Sequence, residues 1–351
     1  MLIAGLFGSA FLPVNAQQKK QPVENVNTIG HGQQPQVAID NAGIIRVAYG
    51  ADDKIFCATS IDHGETFSTL VLVAKVDGMH LGMARGPQIS SSANCSIITA
   101  INKAGNIYWF KLDNRVAKWQ SMGYVNDLKR SAPEGMIAVG ADKNDSFYAV
   151  WLDTRSGGRN QVCFSSLAVK TNKWSPNRII YKSPDMHVCE CCRPGIAVSG
   201  STVAIMFRNW VNGSRDMYVV RSADHGKSFS DAQKTGLDTW KLEGCPMDGG
   251  GIRVDQSNAV QTTWQRKGDI YFTQGTDPEI YIGKGKTCTI TGAGAKVFVA
   301  YRNNDTLKLV TLPGKKAAIV GEGDFIKAVT LNNGQNFLVW QHDDQIRYRV
   351  L

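Results

Sequence analysis

Beyond residue 16 the chain has no apolar run long enough to span a bilayer, and no proline- or serine-rich linker or block of like charge divides it. Neither a membrane-spanning helix nor a multi-domain layout is expected, and 17–351 reads as one domain. Also missing are a G-x-S-x-G elbow, an H-E-x-x-H helix and any glycine-rich phosphate loop, which leaves serine-hydrolase, zincin and nucleotide-loop chemistry without support. Lysine and arginine outnumber acidic residues 39 to 30, for a net charge of +9. The basic residues are scattered rather than clustered with interleaved aromatics, which argues against a nucleic-acid partner. The charge suits an acidic glycan as well as it suits plain solubility. The first sixteen residues, MLIAGLFGSAFLPVNA, hold no charged side chain and end in the small-residue pattern Val14-Asn15-Ala16. They are expected to be a signal peptide, with the mature protein periplasmic or secreted.

What the chain does contain is an internal repeat. Seven apolar stretches end in a bulky residue and then turn abruptly polar, as in VAYGADD, AVWLDTR, IMFRNWV and LVWQHDD. The bulky residues are Tyr49, Ile101, Trp151, Phe207, Trp264, Tyr301 and Trp340. Spacing of this order is the signature of propellers and solenoids. A short apolar run, usually after a proline, precedes most copies (PQVAID, PQISSS, GMIAVG, PGIAVS, GGIRVD), and a third run such as KIFCATS or DMYVVRS follows. Short β-rich runs bounded by Gly/Asn/Asp turns read as all-β, and four-stranded blades around an axis are the radial solution. The expectation is a seven-bladed β-propeller, or six blades if the two short C-terminal units share one. The last unit supplies three strands (FIKAVTL, NFLVWQH, QIRYRVL), so the segment around Val23 to Ile29 is expected to add the fourth and close the ring as a monomer.

Two stretches carry a family signature. Ser60-Ile61-Asp62-His63-Gly64-Glu65-Thr66-Phe67 and Ser222-Ala223-Asp224-His225-Gly226-Lys227-Ser228-Phe229 resemble the Asp-box, or BNR repeat, of sialidase-like propellers. Asp and Gly there make a tight turn between third and fourth strands with the aromatic residue beneath it. The resemblance implies fold more firmly than activity.

Antiparallel pairing puts the start of each first strand and the end of each second strand on one face, with the Asp-box turns on the other. Residues ahead of first strands are His31, Met79 to Arg85, Glu134, His187 to Arg193, and Cys245-Pro246-Met247-Asp248. Residues after second strands add Asp52, Asp53, Arg208, Arg266, Arg302 and His342. Of eight cysteines, Cys57, Cys95, Cys163 and Cys288 stand singly in strands as small buried hydrophobes. Cys189, Cys191, Cys192 and Cys245 share the loaded face. In an exported protein they read as disulfides, for instance one joining the fourth blade's entry loop to the fifth's through Cys245. They also read as a soft-metal site for copper or zinc, with His80, Met83, His187 and Met247 as further ligands. The glycines at 249, 250 and 251 would let backbone approach closely.

The sialidase-like resemblance implies a second use of the face. Such enzymes hold a sugar carboxylate with arginines, which would be Arg85, Arg193, Arg208, Arg266 and Arg302 here, beside Asp248 as a further ligand-binding group. They use a tyrosine nucleophile, matched by Tyr301 or Tyr271, a helping glutamate, Glu134 or Glu243, and an acid, Asp52 or Asp53. The cysteine-rich loop departs from that family's pattern and weighs against a true sialidase. The reading favoured for the axial pocket is a soft-metal protein or metal-dependent enzyme, with a sialidase-like glycoside hydrolase and a non-catalytic module that binds a small molecule or acidic glycan as the alternatives.

Overall fold

The computed structural model describes residues 25–114 and 116–351, so the expected signal peptide lies outside the described residues. Seven antiparallel sheets follow one another along the chain: blades 1 to 6 span 33–75, 88–124, 137–181, 195–234, 251–284 and 286–322. Blade 7 combines 324–350 with an N-terminal strand, Asn27–His31. The two short C-terminal units form separate sheets, which decides for seven blades over six. In blade 3 the outer position is filled by two short pieces, Lys173–Trp174 and Arg178–Tyr181, both paired with Gln161–Ala168. Among the described residues no helix is long and apolar enough to cross a membrane.

Each second strand is sandwiched inside its blade and is buried over most of its length. All seven bulky repeat residues lie on second strands and are at most 3% exposed. They fill the gaps between neighbouring blades, where burial of each large side chain contributes about 1.5–3 kcal/mol. The ring closes as Asn27 pairs with Tyr348 and His31 with Gln345, so the strand order around blade 7 joins the two ends of the chain.

One apolar cluster forms at every blade boundary, but the clusters are unequal. The boundary between blades 2 and 3 buries thirteen core residues, whereas that between blades 4 and 5 buries only Met206, Met217 and Trp264. This thin seam runs beneath the cysteine loop. Cys57, Cys95, Cys163 and Cys288 are buried within the blade cores, as expected.

The register fixes the two faces. Gln33 pairs with Gly50 and Ala51 with Lys54, while Ile45 pairs with Ser60. First-strand starts therefore share a face with second-strand ends, and the Ser60–Phe67 turn lies opposite. Its counterpart at Ser222–Phe229 has the same bonding. Ser60 Oγ donates to Asp62 at 2.7 Å and accepts from Gly64 N at 2.9 Å, as Ser222 Oγ does with Asp224 at 2.7 Å and Gly226 N at 2.8 Å. Bonds from Thr66 hold the Asp62 carboxyl down at about 2, and those from Ser228 hold Asp224 lower still. Phe67 packs on Phe337 and Tyr348, and Phe229 on Phe164. These aspartates tie turns and reach no cavity on the axial face.

Candidate functional site

The loaded face divides into two neighbouring centres. The first is a cavity of about 590 Å³ formed by the loops of blades 1 to 3, lined by Asp52, His80, Met83, Arg85, Lys103 and Glu134 among others. Asp53 anchors the loop that carries this set, accepting from Met79 N at 3.0 Å through its carboxylate. Arg85 Nε donates to Glu134 O at 2.6 Å, and its Nη2 lies 3.6 Å from Glu134 Oε2. His80 Nε2 meets Pro133 O at 2.9 Å. Burial raises the Glu134 carboxyl above the usual glutamate range, against the opposing pull of Arg85 and with Glu190 adding to the rise. Burial also lowers His80, and the charges of Arg85 and Lys103 act the same way. The cavity thus sets an imidazole and two cations, Arg85 and Lys103, beside the carboxyl groups of Glu134, Asp52 and Asp53 within one opening.

The second centre is the cysteine loop, 187–193, at the entry to blade 4. Cys191 is disulfide-bonded to Cys245, with Cα atoms 6.2 Å apart, which staples the entry loops of blades 4 and 5 across the thin seam. Cys189 and Cys192 are free and buried, their sulfurs 3.6 Å apart. Arg215 Nη1 donates to Cys189 Sγ at 2.9 Å and its guanidinium lies over Trp210 at 4.4 Å. The contact with Cys192 holds the Cys189 thiol below its ordinary range; Arg215 and Arg208 add to this while burial opposes it. The sulfurs of Cys189, Cys191 and Cys192 lie within 4.8 Å of one another, close enough to hold a metal ion.

The set of eight metal ligands expected from sequence is divided by this geometry. His80 and Met83 line the cavity, while Met83 and Met247 are both about half exposed. His187 stacks on Trp210 at 5.7 Å rather than facing the sulfurs as a ligand. The cluster that geometry gathers is three cysteines, with Cys245 joined through the disulfide.

The arginine cradle is similarly reduced. Arg208 is 1% exposed and donates to Asp248 O, Arg215 O and Gln265 O at 2.7–3.1 Å, with its guanidinium over Trp240. Arg266 is paired with Glu279 and Asp238, and Arg302 with Asp305 and Asp324. Arg193 donates to Gln88 Oε1. Asp248 is buried and accepts from Gly250 N at 3.1 Å and Thr287 N at 2.7 Å, so it anchors its loop instead of presenting a carboxylate. Tyr301 is 3% exposed within the core between blades 5 and 6, and its hydroxyl is packed against Gly283. Its place as a pocket nucleophile is corrected on that ground: the second strand points it between blades. Of the named arginines, Arg85 is the one that lines the cavity.

Close backbone packing at the glycines is as anticipated. A Cβ on Gly249 would stand 1.9 Å from Arg193 O, and Gly250 adopts φ +68° beside Thr263 O. Sequence reasoning missed Arg215, which sits seven residues past its strand's end in an unremarkable loop. It also missed Lys327, on the first strand of blade 7, whose ammonium is pushed down to about 7 by burial, with Arg193 acting the same way. Neither is in a motif; loop geometry within blade 4 sets Arg215 on Cys189, and the packing of blade 7's first strand sets Lys327 near Arg193.

No protein-family model matches this chain, and no curated protein matches its sequence. Solved structures do share the architecture. The lectin BP39L from Burkholderia pseudomallei superposes with a TM-score of 0.68 at 9% identity, covering 92% of this chain and 96% of the lectin. The polysaccharide lyase Uly1 gives 0.58 at 9% identity, over 97% of this chain and 93% of the lyase. An ulvan lyase of family PL25 bound to -[GlcA(1-4)Rha3S]- gives 0.56 at 9% identity, over 93% and 96%. At such identities the likeness establishes the fold alone: the chain is a seven-bladed β-propeller of the shape that these lectins and lyases use.

Proposed function

We propose that the protein binds an acidic sugar of a glycan in the cavity between blades 1 and 3. The observation that carries this reading is the convergence of Arg85 and Lys103 with His80, Glu134 and Asp52 in one opening of about 590 Å³. That volume suits a sugar-sized ligand, and a few convergent polar groups in a concave site are what orient one. Arg85 is held in place by the Glu134 carbonyl, and a ligand carboxylate or sulfate would compete with the Glu134 carboxylate, 3.6 Å from Nη2, for the rest of the guanidinium. The shared fold with glycan-binding lectins and with lyases that act on acidic polysaccharide supports the choice of ligand class. Hydrolysis through Tyr301 is not part of the proposal, because that ring is enclosed between blades.

The test is calorimetric titration with oligosaccharides ending in a uronate or sialate, against the same sugars with the carboxyl esterified. Binding of the acidic form with Arg85→Gln weakening it about tenfold or more is expected, the usual scale for a lost charge-assisted hydrogen bond. Equal binding of the esterified sugar, or no effect of Arg85→Gln, would sink the proposal.

A second reading attaches to the cysteine loop, favoured by three sulfurs within 4.8 Å. With the Cys191–Cys245 bond reduced, that triad would suit a soft ion, copper or zinc. Metal content of the purified protein before and after reduction tests it: stoichiometric uptake only after reduction is expected, and none in either state defeats it.

A further inference from the structure

The exposed end of the Cys191–Cys245 disulfide covers two thiols that the sugar cavity does not use. Cys189 Sγ lies 3.7 Å from Cys191 Sγ, and Cys192 Sγ lies 3.9 Å from the same atom. Cys189 is buried, and Arg215 keeps a guanidinium N–H on its sulfur at 2.9 Å. Arg215 is itself fixed, lying over Trp210 and donating through Nε to Leu242 O at 3.2 Å. Both free sulfurs thus lie beside the disulfide sulfur that thiol–disulfide exchange would attack, and Arg215 sets a cation against one of them. Cys245, in contrast, is exposed at the rim, and Cys189 and Cys192 stand at C-x-x-C spacing.

We propose that the C-E-C-C loop and Cys245 form an internal thiol–disulfide relay that delivers a reactive thiol to the rim. The Cys189 thiolate attacks Cys191 Sγ, forming Cys189–Cys191 and breaking Cys191–Cys245. The bonding pair leaves with Cys245 sulfur, which emerges as a thiolate. Cys192 then attacks Cys189 Sγ and passes its proton to the leaving Cys191 sulfur, 3.9 Å away; Cys189–Cys192 forms and Cys191 is left as a thiol. Two thiols and one disulfide enter and two thiols and one disulfide result, so no outside oxidant is needed. The substrate class is a molecule carrying an exposed disulfide, R–S–S–R′. Cys245 attacks one sulfur to give the mixed disulfide Cys245–S–S–R and releases R′S⁻. The same rearrangement releases the staple between the entry loops of blades 4 and 5 at the seam with least apolar packing. This inference stands independently of the sugar cavity.

The experiment incubates native protein, purified without reductant, with iodoacetamide, quenches in acid and maps disulfides and labels by mass spectrometry. The expected product carries the label on Cys245 and a disulfide between two of Cys189, Cys191 and Cys192. In Cys189→Ser the Cys191–Cys245 bond should persist with Cys245 unlabelled. In Cys192→Ser the first step remains, so Cys245 is labelled and Cys189–Cys191 accumulates, which keeps the proposal open to refutation even where Cys189→Ser folds poorly. Arg215→Gln is expected to slow labelling of Cys245 on the order of tenfold, because the attacking thiolate loses its cation. The relay is overturned by Cys245 labelling at an unchanged rate in Cys189→Ser. It is equally overturned by an intact Cys191–Cys245 bond in the labelled wild type, or by four unpaired cysteines in the protein as purified.

Discussion

Replacing Arg208 with alanine separates a structural arginine from a ligand-binding one. Its guanidinium is buried and saturates three backbone carbonyls, Asp248 O, Arg215 O and Gln265 O, that belong to three different segments around the blade 4 to blade 5 seam. Removing it leaves those carbonyls without a donor, at about 1–3 kcal/mol for each buried unsatisfied group. Partial relaxation and water entry reduce the sum, while lost packing on Trp240 adds to it. A net loss of about 3–5 kcal/mol is the expectation, matching the scale for breaking a buried charged network. The seam has only three buried apolar residues to compensate. Urea denaturation followed by tryptophan fluorescence would measure the loss, with Arg302→Ala as control. Arg302 is about one-fifth exposed and is paired with partly or largely exposed aspartates, so its removal should cost no more than about 1 kcal/mol. Equal losses for the two variants, or a loss below about 1 kcal/mol for Arg208→Ala, would refute the reasoning. Weakened sugar binding with unchanged stability would return Arg208 to the ligand set.

Gly249→Ala places a methyl group 1.9 Å from Arg193 O, against backbone that cannot swing aside, so a loss of about 1–3 kcal/mol or failure to fold is expected in thermal melts; an unchanged melting temperature would contradict the packing. Glu134 keeps its proton to a higher pH than a free glutamate, so affinity for an acidic sugar should rise as pH falls from neutrality through that raised range, where loss of the negative charge frees Arg85. The dependence should flatten in Glu134→Gln, and a flat profile in the unsubstituted protein would remove Glu134 from the site. Asp62 has its folded carboxyl held down at about 2, so its stabilising contribution is present above the ordinary aspartate value of about 4 and disappears as pH falls through about 2. Asp62→Asn should therefore lower the denaturation midpoint at pH 7 and make it less sensitive to acid, with sugar binding unchanged.

The repeat in the sequence by itself determined the fold. A buried second strand carries a bulky residue near its end where it fills a blade boundary, and the seven positions from Tyr49 to Trp340 mark that pattern without reference to coordinates. Strand alternation likewise dictated which loops share a face, and it put Cys245 with the cysteines of the fourth blade's entry loop, while the structure decided that Cys191 is its partner. The partners that side chains choose on that face could not be read from sequence. Arg208, Arg266 and Arg302 look alike as basic residues after second strands, yet one saturates carbonyls and two meet carboxylates supplied by other loops. Tyr301 follows the same rule as Trp151 and is packed inward by strand direction, whatever chemistry its hydroxyl suggests. Arg215 reaches Cys189 across 26 residues of sequence, a contact set by loop geometry. Backbone periodicity is local and survives in one dimension; hydrogen-bond pairing on the axial face depends on the closed ring, and only the tertiary structure decided it.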